Sequence, residues 1–286
     1  MPERVAVVTD STSYLPAGLA DEHGLTVVPL QVVVGGRSLS EGTEVTSGEI
    51  AEALVAGRTV TTSRPSPLAF VETYRRLAAG GARGIVSVHL SADLSGTVDA
   101  ARVAARQLTA DGVQVEVVDS RLLAMGLGYA AMAAADAAAR GSDPADVAKV
   151  AARRSLATGV WLYVDTLEYL RRGGRIGTAA AWLGSALAVK PLLHLADGRI
   201  EPVERVRTTS RALVRLEEIV VAEAGERPVD IAVQHLAAAD RADELAHRLR
   251  SRLPGVRRVV VDEVGAVVGA HVGPGMLGVV VAPASR

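Results

Sequence analysis

GIVSVHLSADLSGTVDAA, residues 84–101, decides the fold class. Its first part, GIVSVH (84–89), is a continuous β-branched apolar run, as a strand buried on both faces requires. A short polar loop follows, and Leu94-Ser95-Gly96-Thr97 opens a helical stretch. A strand that feeds a helix through a short loop is half of a parallel βαβ unit. The same arrangement recurs on either side. RVAVVT (4–9), LTVVPLQVVV (25–34) and VQVEVVD (113–119) read as further buried strands. The helices between them carry start signals. Thr46 and Glu49 have capping-box spacing, and Ser66-Pro67 and Asp143-Pro144 each read as N-cap followed by a proline in the first turn. The Ala-rich stretch 122–139 reads as a buried helix; it carries Asp136 and is too weakly apolar for a membrane span.

Downstream the punctuation changes. VWLYVD (160–165) leads into LEYLRRGGRIG (167–177) and a helical AAAWLGSALAV (179–189). Residues 188–206 read as two extended segments joined at Asp197-Gly198, a hairpin dipeptide. A helix over about 209–224, the strand VDIAVQHL, a helix starting near Asp240, the strand VRRVVVDE and a final LGVVVA complete the chain. The expected architecture is α/β with two domains: a parallel-sheet domain over 1–158, and an α+β domain with a mixed or antiparallel sheet over 159–286. The TVTTSRPSP stretch (59–67) is expected to be a stiff hydroxyl-bearing loop between two helices.

Composition removes several function classes. The 286 residues contain no cysteine, which excludes disulfides, thiolate metal sites and cysteine nucleophiles and suits a reducing cytoplasm. The net charge of −1 gives no global field toward nucleic acid or anionic lipid, and the 3% aromatic content offers no base-stacking platform. No signal peptide is visible, and the six histidines are not paired at metal-ligand spacing. Any ligand pocket must be lined by aliphatic side chains.

The junctions between strands and helices are where ligands gather in a parallel α/β sheet. Asp10, Ser11, Thr12 and Ser13 either cap a helix or hold a polar ligand. Thr62 and Ser63 either face a ligand or cap the next helix. At Leu94-Ser95-Gly96-Thr97, free backbone N–H groups at a helix start favour a small anion such as a carboxylate. The sequence lacks the Gly-Lys-Ser/Thr of a phosphate-binding P-loop. LRRGGRIG places Arg171, Arg172 and Arg175 around a glycine pair, so that one arginine can be aimed inward. A second basic cluster comprises Arg205, Arg207, Arg211 and Arg215. GAHVGPG (269–275) holds one imidazole, His271, among glycines. It is a buried structural residue, a catalytic base or the polar handle for a ligand.

Seven segments in order, VVTDSTSYLP, TSRPSP, LSGT, VVDSRLLAMGLG, LRRGGRIG, KPLLHLADGRI and GAHVGPG, resemble the DegV family of fatty-acid-binding proteins over essentially the whole chain. The resemblance implies a long-chain fatty acid bound between and within two α/β domains, with no cofactor and no metal. It implies that Thr62 and Ser95 bind the carboxylate, Gly96 supplies a backbone N–H, His271 stands at the head group and Arg175 supports them. Ser63, Arg64 and Ser11 are expected as supporting positions. It further implies a monomeric carrier without chemistry of its own; the net charge of −1 and the lack of a helix-turn-helix pattern argue against nucleic acid, and the weak apolarity of 122–139 against membrane insertion. Such a carrier presents the acid to a separate ATP-dependent fatty acid kinase and holds the acyl phosphate. Two departures stand out: Arg64 where the family usually has Gln, and SEGTE (40–44) where an Asp-Gly form is more common. The Ala- and Leu-rich segments 122–139 and 179–193 serve either as tunnel walls or as plain core. The competing reading is a small-anion hydrolase using His271 as general base.

Overall fold

The computed structural model describes residues 4–183 and 189–284. Along the chain run β1 (Arg4–Asp10), α1 (Leu19–Glu22), β2 (Leu25–Val28), β3 (Gln31–Val34), β4 (Arg37–Ser40), α2 (Ser47–Val55), β5 (Val60–Ser63), α3 (Pro67–Ala79) and β6 (Ala82–His89). Next come α4 (Thr97–Ala110), β7 (Val115–Asp119), α5 (Ala124–Ala139), α6 (Pro144–Leu156), β8 (Gly159–Tyr163) and α7 (Glu168–Arg172). The remainder comprises β9 (Lys190–Ala196), β10 (Arg199–Val206), α8 (Thr209–Ala224), β11 (Val229–His235), α9 (Ala239–Arg252), β12 (Val256–Glu263), α10 (Ala266–Val272) and β13 (Leu277–Pro283). Two compact units result: Met1–Gln31 with Ser63–Ala157, and Val32–Thr62 with Thr158–Arg286. The sequence reading has one boundary, near 158; the chain also passes to the second unit after Gln31 and back after Thr62.

The first unit is a parallel sheet of order β2-β1-β6-β7. Val8, Val28, Ile85, Phe70, Tyr74 and Leu108 form its buried core on the side of α3 and α4. α5 packs on β1 and α6 and is buried on nearly every face, which its alanines permit because they bring helix and neighbours close at no cost in side-chain entropy. Among the described residues no helix is long and apolar enough to cross a membrane. The start signals behave as the sequence predicts. Thr46 and Glu49 close a reciprocal capping box on α2, Ser66 caps α3 and Asp143 caps α6, the last two with proline in the first turn.

The second unit carries a mixed sheet of order β10-β9-β8-β13-β11-β12. Only the β11–β12 pair is parallel; β9–β10, β8–β9, β8–β13 and β11–β13 are antiparallel. Asp197 (φ 48°) and Gly198 (φ 85°) both take positive φ at the β9–β10 turn, the conformation that an Asp-Gly hairpin supplies. Leu192, Leu216, Val220, Ile231, Leu249 and Val279 lie in the core between this sheet, α8 and α9. The excursion 32–62 adds the small sheet β4-β3-β5 and α2, which packs on α10.

Four elements differ from the sequence reading. The single strand expected over 25–34 is broken at Pro29-Leu30, because proline has no N–H to give to a ladder. Residues 60–63 are a strand, β5, and the loop of TVTTSRPSP starts only at Arg64-Pro65; β-branched Val60, Thr61 and Thr62 fit a pleated strand. The segment from Gly177 to Trp182 is a 3-10 helix without a side-chain cap, where a longer α-helix was expected; residues 184–188 of that helix and of the wall segment 179–193 lie outside the described residues. His271 stands on a helix, α10, where the glycines around it in the sequence suggest a tight bend.

Candidate functional site

In the second unit the structure brings together Thr62, His271 and Arg175. Thr62 lies at the end of β5 and His271 in the last turn of α10, and Oγ1 of the first is 2.8 Å from Nε2 of the second. The other ring nitrogen, Nδ1, is buried with no hydrogen-bond partner. It faces Gly173: a Cβ on that residue would stand 2.0 Å from Nδ1, so only glycine admits the ring there. Arg175 holds the same turn. Its guanidinium donates to the carbonyl of Gly173 at 2.5 Å, and its backbone N–H to Leu170 O at 2.9 Å. Burial, with the positive charge of Arg175 adding to it, holds the His271 imidazole down at about 4. The ring is therefore neutral at physiological pH.

The glycines of GAHVGPG serve packing. At Gly273 (φ 75°), which ends α10, a Cβ would run into the ring of Tyr169 at 2.1 Å. Tyr169 belongs to α7, so the glycine lets the α7 turn close against α10 and sets Gly173 beside the imidazole. Upstream, Tyr163 donates to Asp165, and Lys190 donates to the same carboxylate oxygen at 2.7 Å, which fixes the strand end that leads into α7.

The other expected positions lie in the first unit. Ser95 and Gly96 stand at the start of α4, with Gly96 as its N-cap and Ser95 Oγ 2.9 Å from Thr97 Oγ1. The guanidinium of Arg64 lies over Gly96, where a Cβ would be 2.1 Å from its Nη1. Among the described residues no hydrogen bond or ion pair of Arg64 is found, so a cation faces the positive end of a 14-residue helix. Ser11 Oγ accepts from Leu30 N at 3.0 Å, which ties it to the backbone, while Asp10 supplies the cap of the turn that follows β1. Ser63 is an exposed strand end.

Sequence reasoning missed a buried chain of hydrogen bonds in the first unit. Tyr74 donates to Ser87 at 2.7 Å, Ser87 Oγ is 2.7 Å from His89 Nε2, and His89 Nδ1 is 3.0 Å from Asp10 Oδ2. Asp10 also accepts from Leu90 N and Thr12 N. The order is that of a Ser-His-Asp triad, but all four side chains are fully buried and Ser87 already accepts from Tyr74, whose hydroxyl burial pushes up and keeps protonated. The chain is a strut that joins the ends of β1 and β6 to α3. The signal was present: Ser87 and His89 are two apart on one strand and so share a face.

Of the basic side chains, Arg171 and Arg172 are both bound to Glu168, Arg215 to Glu204 and Glu218, and Arg205 stacks 5.1 Å above the Trp182 ring. Among the described residues no group of three or more His, Cys, Asp or Glu could hold a metal ion. The arrangement in the second unit is thus a neutral, part-buried imidazole hydrogen-bonded to one hydroxyl, with a guanidinium bound to the adjacent turn.

Comparison with known proteins gives the family over nearly the whole chain. The DegV family model matches residues 4–284. A DegV domain-containing protein of Streptomyces coelicolor is 59% identical over 281 residues, 98% of this chain and 99% of that one. A solved DegV family protein of Thermus thermophilus, described with fatty acid binding, is 34% identical with a TM-score of 0.92, covering 98% of this chain and all (100%) of that one. DegV of Bacillus subtilis, described as a fatty acid binding protein, is 32% identical with a TM-score of 0.88, covering 99% and 100%. The chain belongs to the DegV family.

Proposed function

We propose that this protein is a carrier that binds a long-chain fatty acid, with Thr62 and His271 at the carboxylate and Arg175 bracing them. The observation that carries the reading is the Thr62–His271 hydrogen bond beside an imidazole nitrogen that has no partner. The solved relatives from Thermus and Bacillus, described as binding fatty acid, supply the ligand class. Burying an ionised carboxylate is costly unless hydrogen bonds answer it. In the tautomer with its proton on Nε2, His271 donates to Thr62, whose own proton is then free for a carboxylate oxygen. This tautomer leaves Nδ1 as an unanswered acceptor, which costs less than a buried unanswered N–H. An imidazole held at about 4 is a weak proton acceptor, so it suits orientation of Thr62 better than general-base hydrolysis.

Ser95 and Gly96 of the first unit are proposed as further donors to the carboxylate, on the support of the helix start they form and of the family resemblance. Ser63, Arg64 and Ser11 keep supporting parts in the same reading. An acyl chain contributes roughly 0.8 kcal/mol per buried CH₂, about 10 kcal/mol for a long one before binding costs. The bound acid is presented to a separate ATP-dependent kinase, and the resulting acyl phosphate is held by the carrier; the support for this step is the family resemblance alone. Extraction of the purified protein into organic solvent and mass spectrometry test the reading. A long-chain fatty acid at near-stoichiometric yield is expected. No fatty acid, and no uptake of added oleate, would refute it.

A further inference from the structure

The excursion 32–62, which carries Thr62, is tied to the segment that carries His271 at three points of the second unit. Besides the Thr62–His271 bond, Ser47 donates to Glu263 Oε2 at 2.7 Å, and Glu263 Oε1 accepts from Ala237 N at 3.1 Å. The third tie is Glu41. Its side chain is buried, with 5% of its surface exposed, and Oε1 accepts from the backbone N–H of Val267 at 2.7 Å across 226 positions of sequence. Val267 lies in the first turn of α10, whose N-cap is Gly265, a residue with no side chain to cap it. A seven-residue helix is marginal by itself, and its first N–H groups need acceptors. A buried carboxylate, in turn, needs donors and finds the positive end of a helix. Glu41 and α10 answer each other's requirement. Val267 and His271 are four residues apart, about 6 Å along the helix. A loose first turn would therefore move the imidazole away from Thr62 and Gly173.

We infer that Glu41 is a positioning residue for the head-group pair: it caps α10 from outside and so fixes His271 against Thr62. The inference rests on the proposed carboxylate role of that pair. It gives a purpose to SEGTE, the acidic segment that the carboxylate site leaves unused.

The test uses the full chain with Glu41→Ala, Glu41→Gln, His271→Gln and the double variant Glu41→Ala/His271→Gln, titrated with dansyl-labelled undecanoic acid. Glu41→Ala is expected to bind about fivefold more weakly, the effect of a lost helix cap. Glu41→Gln, which keeps an oxygen acceptor, stays within about twofold of the wild type. In the His271→Gln background, removal of Glu41 adds less than about twofold, because coupled positions are not additive. Equal weakening by Glu41→Ala in both backgrounds, or none in either, overturns the inference. If the wild type binds no fatty acid, the proposed function falls, and the NMR titration of His271 decides this inference separately. Glu41→Ala should move its midpoint up from about 4 toward the ordinary histidine value; an unmoved midpoint overturns it. If Glu41→Ala does not fold, hydrogen exchange in Glu41→Gln takes its place. The Val267 amide should exchange about threefold faster or more, since an amide oxygen is a weaker acceptor than a carboxylate. Unchanged exchange at Val267 overturns the inference.

Discussion

His271 Nε2 lies 2.8 Å from Thr62 Oγ1, although the two residues are 209 positions apart. If this contact orients a donor for a carboxylate, Thr62→Val should weaken fatty acid binding by about ten- to a hundredfold, the worth of a hydrogen bond to a charged group. Valine keeps the shape of the side chain but leaves His271 Nε2 without its partner, so Tm should also fall, by the equivalent of about 1–3 kcal/mol. Displacement of a fluorescent fatty acid, alongside a thermal melt, measures both. An unchanged Kd would remove Thr62 from the head group.

The part-buried imidazole makes stability depend on pH. The folded value of His271 is about 4 against an ordinary 6.5. The unfolded chain therefore binds more protons than the folded chain between those two values. Above about 6.5 the group contributes no pH dependence; as pH falls from 6.5 toward 4, stability is lost by about 3 kcal/mol. Urea unfolding of the wild type and His271→Gln at several pH values should give a stability difference that changes across that window and is flat above it. A difference that stays constant from pH 7 to 4 would show that the imidazole is not held neutral.

Gly173→Ala places a methyl group 2.0 Å from His271 Nδ1. Overpacking of this kind costs roughly 1–3 kcal/mol, and relief requires the ring or the turn to move. We expect a lower urea midpoint together with a fall in fatty acid affinity. Loss of stability at full affinity would show that the close approach serves packing alone.

Arg64 sets its guanidinium over the N-terminus of α4 without an ion-pair partner among the described residues. An unanswered cation at the positive end of a helix is unfavourable, and an arriving anion relieves it. Arg64→Gln should therefore raise Tm slightly in the absence of ligand and weaken fatty acid binding at low ionic strength. The difference in Kd should shrink as salt is raised toward 1 M, where the Debye length is about 3 Å. A Kd equal to that of the wild type at low salt would remove Arg64 from binding.

Asp10→Ala should be the most damaging of these substitutions to the fold. It leaves His89 Nδ1, Leu90 N and Thr12 N without their acceptor in a fully buried site. Breaking such a network costs about 3–5 kcal/mol. Circular dichroism and denaturant unfolding check this; a loss below about 1 kcal/mol would show that water or another group takes over the carboxylate's place.

Much of the fold was legible because its signals are local. Thr46 and Glu49 are three residues apart, Ser66 and Asp143 each precede a proline, and Asp197-Gly198 is a dipeptide; each acts on its own backbone within one turn. The start of α4 at Gly96-Thr97 was legible for the same reason. The strand β5 was missed because Arg64, Pro65 and the serines beside it read as loop, while its partner β3 lies far upstream. The Ser87–His89 pair gave a period-2 signal, but its third member, Asp10, lies on another strand.

By itself the sequence determined the class of the fold, the alternation of elements, most helix starts and the family, since apolar periodicity and caps depend on near neighbours. It could nominate His271 for the proposed carboxylate site but could not decide what the imidazole touches. Only the tertiary structure placed Thr62 on Nε2, the bare backbone of Gly173 under Nδ1 and the carboxylate of Glu41 on the first turn of the same helix. Those contacts join segments more than 90 residues apart (173 to 271) or more than 200 apart (41 to 267, 62 to 271). Chain closure over such distances is set by the packing of whole elements, and burial among them lowers the imidazole to about 4.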